Sequence, residues 1–266
     1  MFCRIGIMSP EFTLRREPST MTVVEQKTVA CLGSSSTAGK GQAFDWIAEL
    51  RARPRNAQVK FENFGVGGDL AYNALKRLPA VLACRPSKVV VWVGGNDVLA
   101  LVSRRARRFF SISKHLPCAP SPGWFRENLT ELARRLKSDA AADIGLCSLC
   151  PIGENLDSED PFQKELNRRV KEYSDIVAAV ADEENCRYIE LYEAIAEELR
   201  ASPGQAFTSF GFLPFYLDAF RVLVLRRSID EVARMNGWRF HTDGVHLNSR
   251  AGRIVADRIQ EFIDAC

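Results

Sequence analysis

Short apolar runs alternate with helical stretches along most of the chain, and this alternation limits the fold more than any other feature of the sequence. The runs predicted as strands are Thr28–Gly33, Val59–Phe64, Lys88–Val93, Asp143–Cys150 and Arg187–Leu191. The stretches predicted as helices are Ala43–Arg53, Leu70–Ala83, Pro122–Lys137, Pro161–Ala181 and Ser249–Ile263. Strands that alternate with helices pair in parallel and are covered by helices on both faces. The sequence therefore predicts a three-layer α/β fold around a parallel sheet of about five strands.

Residues 99–121 do not follow this alternation and are predicted to form an irregular insertion. Their arginine cluster at residues 104–108 could contact phosphate or an acidic surface. A solvated loop is the favoured interpretation, because the formal net charge of the whole chain is only +3. The same small charge gives no reason to expect nucleic acid or an anionic membrane as a partner.

A second insertion is predicted over residues 201–237, which contain an apolar segment at residues 207–225. Pro214, Asp218 and Arg221 interrupt this segment, so it is a poor membrane span and no stable membrane insertion is expected. A packed helix, or a contact between copies of the chain in a homo-oligomer, is favoured. A lid, or an apolar wall for an acyl substrate, stays open as the alternative.

The length and composition of the chain fit a single globular domain. Of its 266 residues, 46% are hydrophobic and 26% are charged, which is typical of a soluble protein with a sizeable core. Residues 1–20 are expected to be an N-terminal extension, and the domain is expected to span residues 21–266. The apolar stretch at residues 5–8 is too short for a signal peptide, so a cytoplasmic location is predicted.

The eight cysteines are scattered along the chain, and several lie in apolar runs. This distribution is typical of buried free thiols in a reducing compartment rather than of a disulfide framework. Cys147 and Cys150 form a CxxC pair without a second cysteine pair or a histidine pair at zinc spacing. A structural role is therefore favoured for this pair, and neither a metal ion nor another cofactor is expected.

Three serines follow the first predicted strand, at Ser34, Ser35 and Ser36. Ligands and catalytic groups collect at the carboxyl ends of the strands in an open α/β sheet. A serine hydroxyl at this position becomes a nucleophile when a general base and donors for an oxyanion lie nearby.

Histidine is the usual general base for a serine, and the chain has three candidates, His115, His241 and His246. His115 lies in the first insertion without a nearby carboxylate and is expected on the surface. His246 follows Asp243 by three residues, with Gly244 between them to let the chain turn. Asp243 could then bond the second imidazole nitrogen and fix its tautomer. His241 has no aspartate at that spacing, but the local sequence does not exclude it.

Glycine-rich turns follow the second and third predicted strands. Gly65-Val66-Gly67-Gly68 comes after the second strand, and Gly94-Gly95-Asn96-Asp97 comes after the third. A backbone N–H can approach a substrate oxygen closely at a glycine, and the asparagine amide is a further donor. Since the carboxyl ends of parallel strands share one edge, Gly68 and Asn96 are predicted to lie near Ser35.

Taken in order, four short blocks resemble those of the SGNH hydrolases, which are also called GDSL-type hydrolases. The blocks are Gly33-Ser34-Ser35-Ser36-Thr37-Ala38-Gly39, Gly65-x-Gly67-Gly68, Gly95-Asn96-Asp97 and Asp243-x-x-His246. The resemblance implies a flavodoxin-like α/β/α sandwich. It also implies that Ser35 is the nucleophile, His246 the base and Asp243 its orienting acid. Gly68 and Asn96, together with the N–H of Ser35, would form the oxyanion hole.

The resemblance further implies a serine esterase that hydrolyses acyl esters of small alcohols, lipids or sugars. Its partner would be a small-molecule ester. Ser34 departs from the family, which usually has aspartate immediately before the nucleophile. Two alternatives stay open, namely an acyltransferase that uses the same triad and a non-catalytic ligand-binding module on the same fold.

Overall fold

A parallel sheet of five strands forms the centre of the computed structural model, which describes residues 27–41 and 43–265 of the protein. The strands are β1 (Lys27–Gly33), β2 (Val59–Gly65), β3 (Lys88–Trp92), β4 (Asp143–Cys147) and β5 (Arg187–Ile189). Their order across the sheet is β2-β1-β3-β4-β5, and all neighbours are parallel. This is the flavodoxin-like order, and it confirms the predicted fold class. The predicted extension at residues 1–20 lies outside the described residues.

Twelve α-helices surround this sheet within the described residues. They are α1 (Ser35–Ala38), α2 (Trp46–Ala52), α3 (Ala71–Lys76), α4 (Leu78–Ala83), α5 (Gly95–Val102), α6 (Arg104–Ser113), α7 (Pro122–Ala140), α8 (Pro161–Glu183), α9 (Leu191–Ala201), α10 (Phe212–Leu223), α11 (Ile229–Met235) and α12 (Ser249–Asp264). A 3-10 turn at Pro54–Asn56 follows α2. None of the helices in the described part of the chain is long and apolar enough to cross a membrane.

Side chains of the strands alternate between two hydrophobic cores, one on each face of the sheet. In β1, Ala30 and Leu32 join the core that is covered by α3, α4, α7 and α8. Val29 and Cys31 point the other way, into the core that is covered by α2, α9 and α12. Because successive residues of a strand point to opposite faces of the sheet, a strand that is apolar throughout requires helices on both faces.

Two of the predicted elements have different bounds in the structure. The helix expected over Leu70–Ala83 is divided into α3 and α4 at Arg77. Pro79 explains the break, since a proline has no N–H with which to continue the hydrogen bonds of α3. The fourth strand ends at Cys147 rather than Cys150, where its pairing with β5 ends.

Residues 99–121 are not an irregular loop, so this expectation was wrong. They contain the end of α5 and the whole of α6, which begins after Ser103; the Ser103 side chain accepts a hydrogen bond from the N–H of Ala106. Ala106 and Phe110 are buried, four residues apart on one face of α6. Four arginines between and before them hid this weak helical period in the sequence.

The second predicted insertion, residues 201–237, is also largely helical. It contains α10 and α11, so the expectation of an irregular insertion was wrong here too. The apolar segment does form a helix, but most of its apolar side chains are exposed rather than packed. Asp218 anchors α10 because its carboxylate accepts hydrogen bonds from Arg221 and Asn236, both at 2.8 Å. Asn236 also donates to the carbonyl of Thr242 at 3.0 Å. Helix α10 is thereby attached to the loop that precedes α12.

The carboxyl ends of the three central strands lie level with one another. Gly33 at the end of β1 is paired with Gly65 of β2 and with Trp92 of β3. A Cβ atom at Gly65 would collide with the backbone of Thr37 and Ala38 in α1. The absence of a side chain at Gly65 therefore lets α1 pack directly against the end of β2.

We expect Gly65→Ala to lower the free energy of unfolding by about 1–3 kcal/mol, because the added methyl group overpacks a backbone contact. Gly67→Ala is the matched control, since a Cβ atom at Gly67 has no neighbour within 4 Å. Denaturant unfolding of both variants checks the prediction. Equal stability of the two variants would contradict it.

Candidate active site

The hydroxyl of Ser35 lies at the start of α1, directly after the end of β1. Hydrogen bonds hold this turn on both sides. The indole N–H of Trp46 donates to the carbonyl of Ser36 at 3.0 Å, and Arg77 donates to the carbonyl of Gly33 at 3.1 Å. Ser35 itself is partly exposed, so its hydroxyl is fixed in position and accessible to a ligand.

The structure brings Ser35, His246 and Asp243 together in one chain of hydrogen bonds. Nε2 of His246 lies 2.9 Å from Oγ of Ser35, and Nδ1 lies 2.7 Å from Oδ2 of Asp243. The other carboxylate oxygen accepts the backbone N–H groups of Val245 and His246, at 2.9 and 2.8 Å. Asp243 is thus held by its own turn, and its carboxylate fixes the orientation of the imidazole.

Burial and the neighbouring charge shift the pKa of His246 in opposite directions. Burial alone would lower the pKa of His246 by disfavouring the charged form. The charge of Asp243 and its hydrogen bond outweigh burial and raise this pKa above its ordinary value of 6.5. In the same pair, burial would raise the pKa of Asp243, but the neighbouring imidazole and two backbone N–H groups lower it. The site therefore holds an ionised Asp243 beside a more basic histidine.

The structure places the other two histidines away from Ser35. His115 is exposed in the turn after α6. His241 is fully buried, with Nδ1 at 3.1 Å from the Glu154 carboxylate and Nε2 at 3.0 Å from the carbonyl of Pro151. Both of its ring nitrogens are engaged, so His246 is the histidine that is available to the serine.

Glu154 organises the loop that carries Asp243 and His246, a role that no pattern in the sequence indicates. Its buried carboxylate accepts the backbone N–H groups of Arg239, Phe240 and His241. The neighbouring N–H of Gly153 donates to the carbonyl of Gly244 at 2.7 Å. A carboxylate that satisfies several backbone donors fixes the path of a loop more firmly than any single bond.

Gly68 and Asn96 lie at the same edge of the sheet as Ser35. The side-chain amide of Asn96 donates one N–H to the carbonyl of Asp69 at 2.9 Å, which leaves its second N–H for a ligand. Gly68 has a φ of 78°, in the left-handed region that favours glycine. Its N–H has no hydrogen-bond acceptor within the described part of the chain. Both groups can therefore donate to a substrate oxygen.

An ion-pair cluster around the buried carboxylate of Asp69 supports the turn that carries Gly68, and it too was missed in the sequence. The carboxylate of Asp69 is bonded to Arg77 and to Lys114, both at 2.8 Å. Lys114 follows α6 and also donates to the carbonyl of Gly67 at 2.5 Å. The arginine-rich insertion thus reaches the candidate oxyanion donors through Lys114, a contact between residues far apart in the sequence.

A small cavity of about 40 Å³ lies beside Ser35 and Asn96. Its walls are mainly apolar side chains from the ends of β3 and β4 and from the loop before α12. They include Trp92, Val93, Leu149, Ile152, Val245 and Leu247. On the side of α10, the ring of Phe215 lies 6.0 Å from the ring of His246, edge to face. This cavity has room for a small apolar group next to the hydroxyl.

Asp97, the last residue of the third block, is buried and does not join the hydrogen bonds of Ser35. One oxygen accepts the N–H of Ala71 at 3.3 Å. Burial raises the pKa of Asp97 from 3.8 to about 8, although the backbone N–H groups around it act to lower it. Asp97 is therefore mostly uncharged at neutral pH, and its place is in the core below Asn96.

Cys147 and Cys150 are both free thiols, as are the other cysteines of the described residues. Burial raises the pKa of both thiols, so neither is a ready thiolate for redox or metal chemistry. Within residues 27–41 and 43–265, no group of three or more His, Cys, Asp or Glu residues is arranged to hold a metal ion.

A family model provides independent support for the resemblance in sequence. The model of the GDSL-like lipase/acylhydrolase family matches residues 31–212, more than half of the chain. The chain therefore belongs to this family. The match includes Ser35, Gly68 and Asn96 and ends before Asp243 and His246, whose grouping with Ser35 is a result of the structure.

Several solved structures share the fold. The acetyl xylan esterase AlAXEase is 22% identical, with a TM-score of 0.57 over 89% of this chain and 99% of that chain. Axe2, an acetylxylan esterase from Geobacillus stearothermophilus, is 18% identical, with a TM-score of 0.62 over 90% of this chain and 95% of that chain. LAE5, an alpha/beta hydrolase enzyme from the metagenome of Lake Arreo, is 16% identical, with a TM-score of 0.58 over 88% of this chain and 94% of that chain. No curated protein matches the chain in sequence.

We expect Asp243→Asn to lower kcat/KM for a chromogenic ester on the order of 10³- to 10⁴-fold, because the imidazole loses the charge that fixes its tautomer. The base must be uncharged to accept a proton, so the rate falls as pH drops through the pKa of His246. That acid limb should lie above pH 6.5 in the parent protein and move to lower pH in Asp243→Asn. Asp182→Asn, an exposed change at the far end of α8, is the control. An unmoved acid limb would contradict the prediction.

We expect Asp97→Asn to reduce the loss of stability at rising pH. The folded protein retains a proton on Asp97 that the unfolded chain releases, so stability falls as pH rises from about 3.8 to about 8 and then levels off. An amide cannot lose this proton, so the thermal midpoint of the variant should fall less over this range. The Asp182→Asn control should follow the parent, and a variant slope equal to that of the parent would rule out a neutral Asp97.

Proposed function

We propose that the protein is a serine esterase that hydrolyses carboxylic esters through Ser35, His246 and Asp243. The observation that carries this proposal is the unbroken hydrogen-bonded chain from Oγ of Ser35 through His246 to Asp243, at 2.9 and 2.7 Å. Membership of the GDSL-like lipase/acylhydrolase family supports the same chemistry. A serine that is hydrogen-bonded to an oriented histidine is the arrangement required for nucleophilic catalysis.

In the first half of the proposed reaction, Oγ of Ser35 attacks the ester carbonyl while Nε2 of His246 accepts its proton. The charge of Asp243 stabilises the imidazolium that forms. The N–H groups of Ser35 and Gly68 and the free amide N–H of Asn96 donate to the developing oxyanion. The alcohol then leaves with the proton from His246, and an acyl group remains on Ser35.

Water completes the cycle. His246 accepts a proton from a water molecule as that water attacks the acyl carbonyl, and the same donors stabilise the second oxyanion. Collapse of this intermediate returns the proton to Oγ of Ser35 and releases the carboxylic acid. Water is the nucleophile of this step, and protein atoms supply both the proton transfer and the stabilisation of the oxyanion.

We further propose that the acyl group is short. The cavity beside Ser35 measures about 40 Å³ and is lined by Trp92, Leu149 and Ile152, so its size favours an acetyl-sized group over a long chain. The acetylxylan esterase activity stated for AlAXEase and Axe2 agrees with an acetyl ester as substrate. The alcohol part would lie on the open side of the cavity, toward solvent.

We expect Ser35→Ala to lower the hydrolysis of p-nitrophenyl acetate by at least about 10³-fold, because the nucleophile is lost. Ser36→Ala removes the neighbouring hydroxyl and should retain the rate within a few-fold. Rates from acetyl to octanoyl esters test the short cavity and should fall with chain length. Equal rates for Ser35→Ala and the parent would overturn the assignment of the nucleophile.

The same assay separates the two remaining alternatives. Transfer products that accumulate when an alcohol acceptor is added would identify an acyltransferase that uses the same residues. A parent protein that binds esters without turning them over would be a ligand-binding module.

The cytoplasmic location stays a prediction, to which the free thiols of the described residues give support.

A further inference from the structure

The outward side of α10 carries an exposed apolar stripe. Its residues recur at the spacing of one helical face, and each is between 48% and 69% exposed. They are Leu213, Tyr216, Leu217, Phe220, Leu223 and Val224. The opposite side of the helix is attached to the protein through Asp218. A continuous apolar surface of this kind on a folded domain marks an interaction site.

Helix α6 extends this surface and adds positive charge. The rings of Phe109 on α6 and Phe212 on α10 are 4.4 Å apart, so the two helices are in contact. Phe109 and Ile112 are exposed, as are the four arginines of α6. Those arginines are Arg104, Arg105, Arg107 and Arg108. The exposed residues of α6 together with the stripe on α10 are called the α6–α10 face below.

The charge on this face is of one sign. Residues 99–121 contain no Asp or Glu. None of the four arginines of α6 forms a salt bridge with a residue in the described part of the chain. The single carboxylate of α10 is Asp218, which is buried against Arg221. The net charge of +3 for the whole chain therefore conceals a strongly basic surface.

Both helices of the face adjoin the candidate active site. Phe215 of α10 packs edge to face on the imidazole of His246. Lys114, which ends α6, is bonded to the turn that carries Gly68. A partner that covers the α6–α10 face would therefore lie beside the catalytic residues.

A second copy of the chain does not fit this face. In a symmetric dimer the same patch faces itself, so both copies would bring a basic surface to the interface and residues 99–121 would offer no carboxylate to pair with it. Apolar side chains beside arginines that have no carboxylate partner in the described part of the chain suit an anionic lipid surface instead, although Arg107 also donates to the carbonyls of Ala100 and Leu101. The apolar residues enter the boundary between headgroups and acyl chains, and each arginine gains attraction to the negative headgroups.

We infer that the α6–α10 face docks the protein on anionic lipid bilayers, with the stripe on α10 at the acyl boundary and the arginines of α6 at the headgroups. The protein stays peripheral, since neither helix spans the bilayer. This docking goes beyond the proposed esterase chemistry and does not depend on it. Docking would hold the candidate active site next to the lipid surface.

Flotation with vesicles tests the inference on the full chain. The probes are vesicles of phosphatidylcholine alone and of phosphatidylcholine with phosphatidylserine, each at low and at physiological ionic strength. We expect binding to the anionic vesicles that weakens as salt screens the arginines. Arg105→Glu/Arg108→Glu should weaken that binding by at least roughly 30-fold, since the loss of each arginine costs about a factor of five and each glutamate adds repulsion.

Two further double variants separate the roles of charge and apolar contact. Leu213→Ser/Leu223→Ser removes the two most exposed leucines of the stripe and should also reduce binding at least about tenfold. Arg200→Glu/Arg253→Glu makes the same charge change on α9 and α12, on the other side of the sheet, and should bind within a few-fold of the parent. Thermal midpoints close to that of the parent show that each variant is folded.

The outcomes are distinct. Loss of binding in the first two variants and its retention in the Arg200/Arg253 control support docking by this face. Absence of binding to anionic vesicles at low salt overturns it, as does an equal loss in the control. A dimer that Leu213→Ser/Leu223→Ser dissociates, without vesicle binding by the parent, assigns the face to a second copy and also overturns it.

Discussion

The level ends of three parallel strands are the constraint on which the rest of the site depends. Gly33, Gly65 and Trp92 occupy one register across β2, β1 and β3, so the turns that follow them start from the same edge. Backbone hydrogen bonds between the strands fix this register, and a shift by one residue would send each side chain of the strand into the opposite core. Moving any one of these turns would therefore require a shift in the hydrogen-bonded register of the whole sheet. Ser35, Gly68 and Asn96 owe their proximity to that cooperativity, more than to contacts among themselves.

Much of the sheet and of the triad could be predicted because both depend on local patterns. Apolar runs marked the strands, and the block Asp243-x-x-His246 contains its own turn and its own hydrogen bond. Helix α6 was missed because only Ala106 and Phe110 face the core. The arginines around them favoured the interpretation as a solvated loop. Glu154 was missed for a different reason. Its partners lie more than eighty residues away, and no spacing within one sequence reports such a contact.

The supports of the site come from elements that carry none of its chemistry. Glu154 holds the loop before α12, while Asp69, Arg77 and Lys114 hold the turn that carries Gly68. The carboxylates of Glu154 and Asp69 are buried and bonded to these donors, so removal of a donor leaves a buried charge without compensation. Preorganised donors stabilise a developing charge best when they do not have to move. The buried pairs supply that rigidity on both sides of Ser35.

Ser35 and His246 are hydrogen-bonded across a separation of 211 residues. Ser35 follows β1, and His246 lies in the segment before α12. Loop-closure entropy makes so distant a contact one of the later ones to form when the chain folds. A chain that is still being synthesised lacks this partner for Ser35 until the segment that carries His246 has been made. Likewise, local detachment of the segment before α12 would separate His246 from Ser35, so the reactivity of Ser35 would report that this segment is docked.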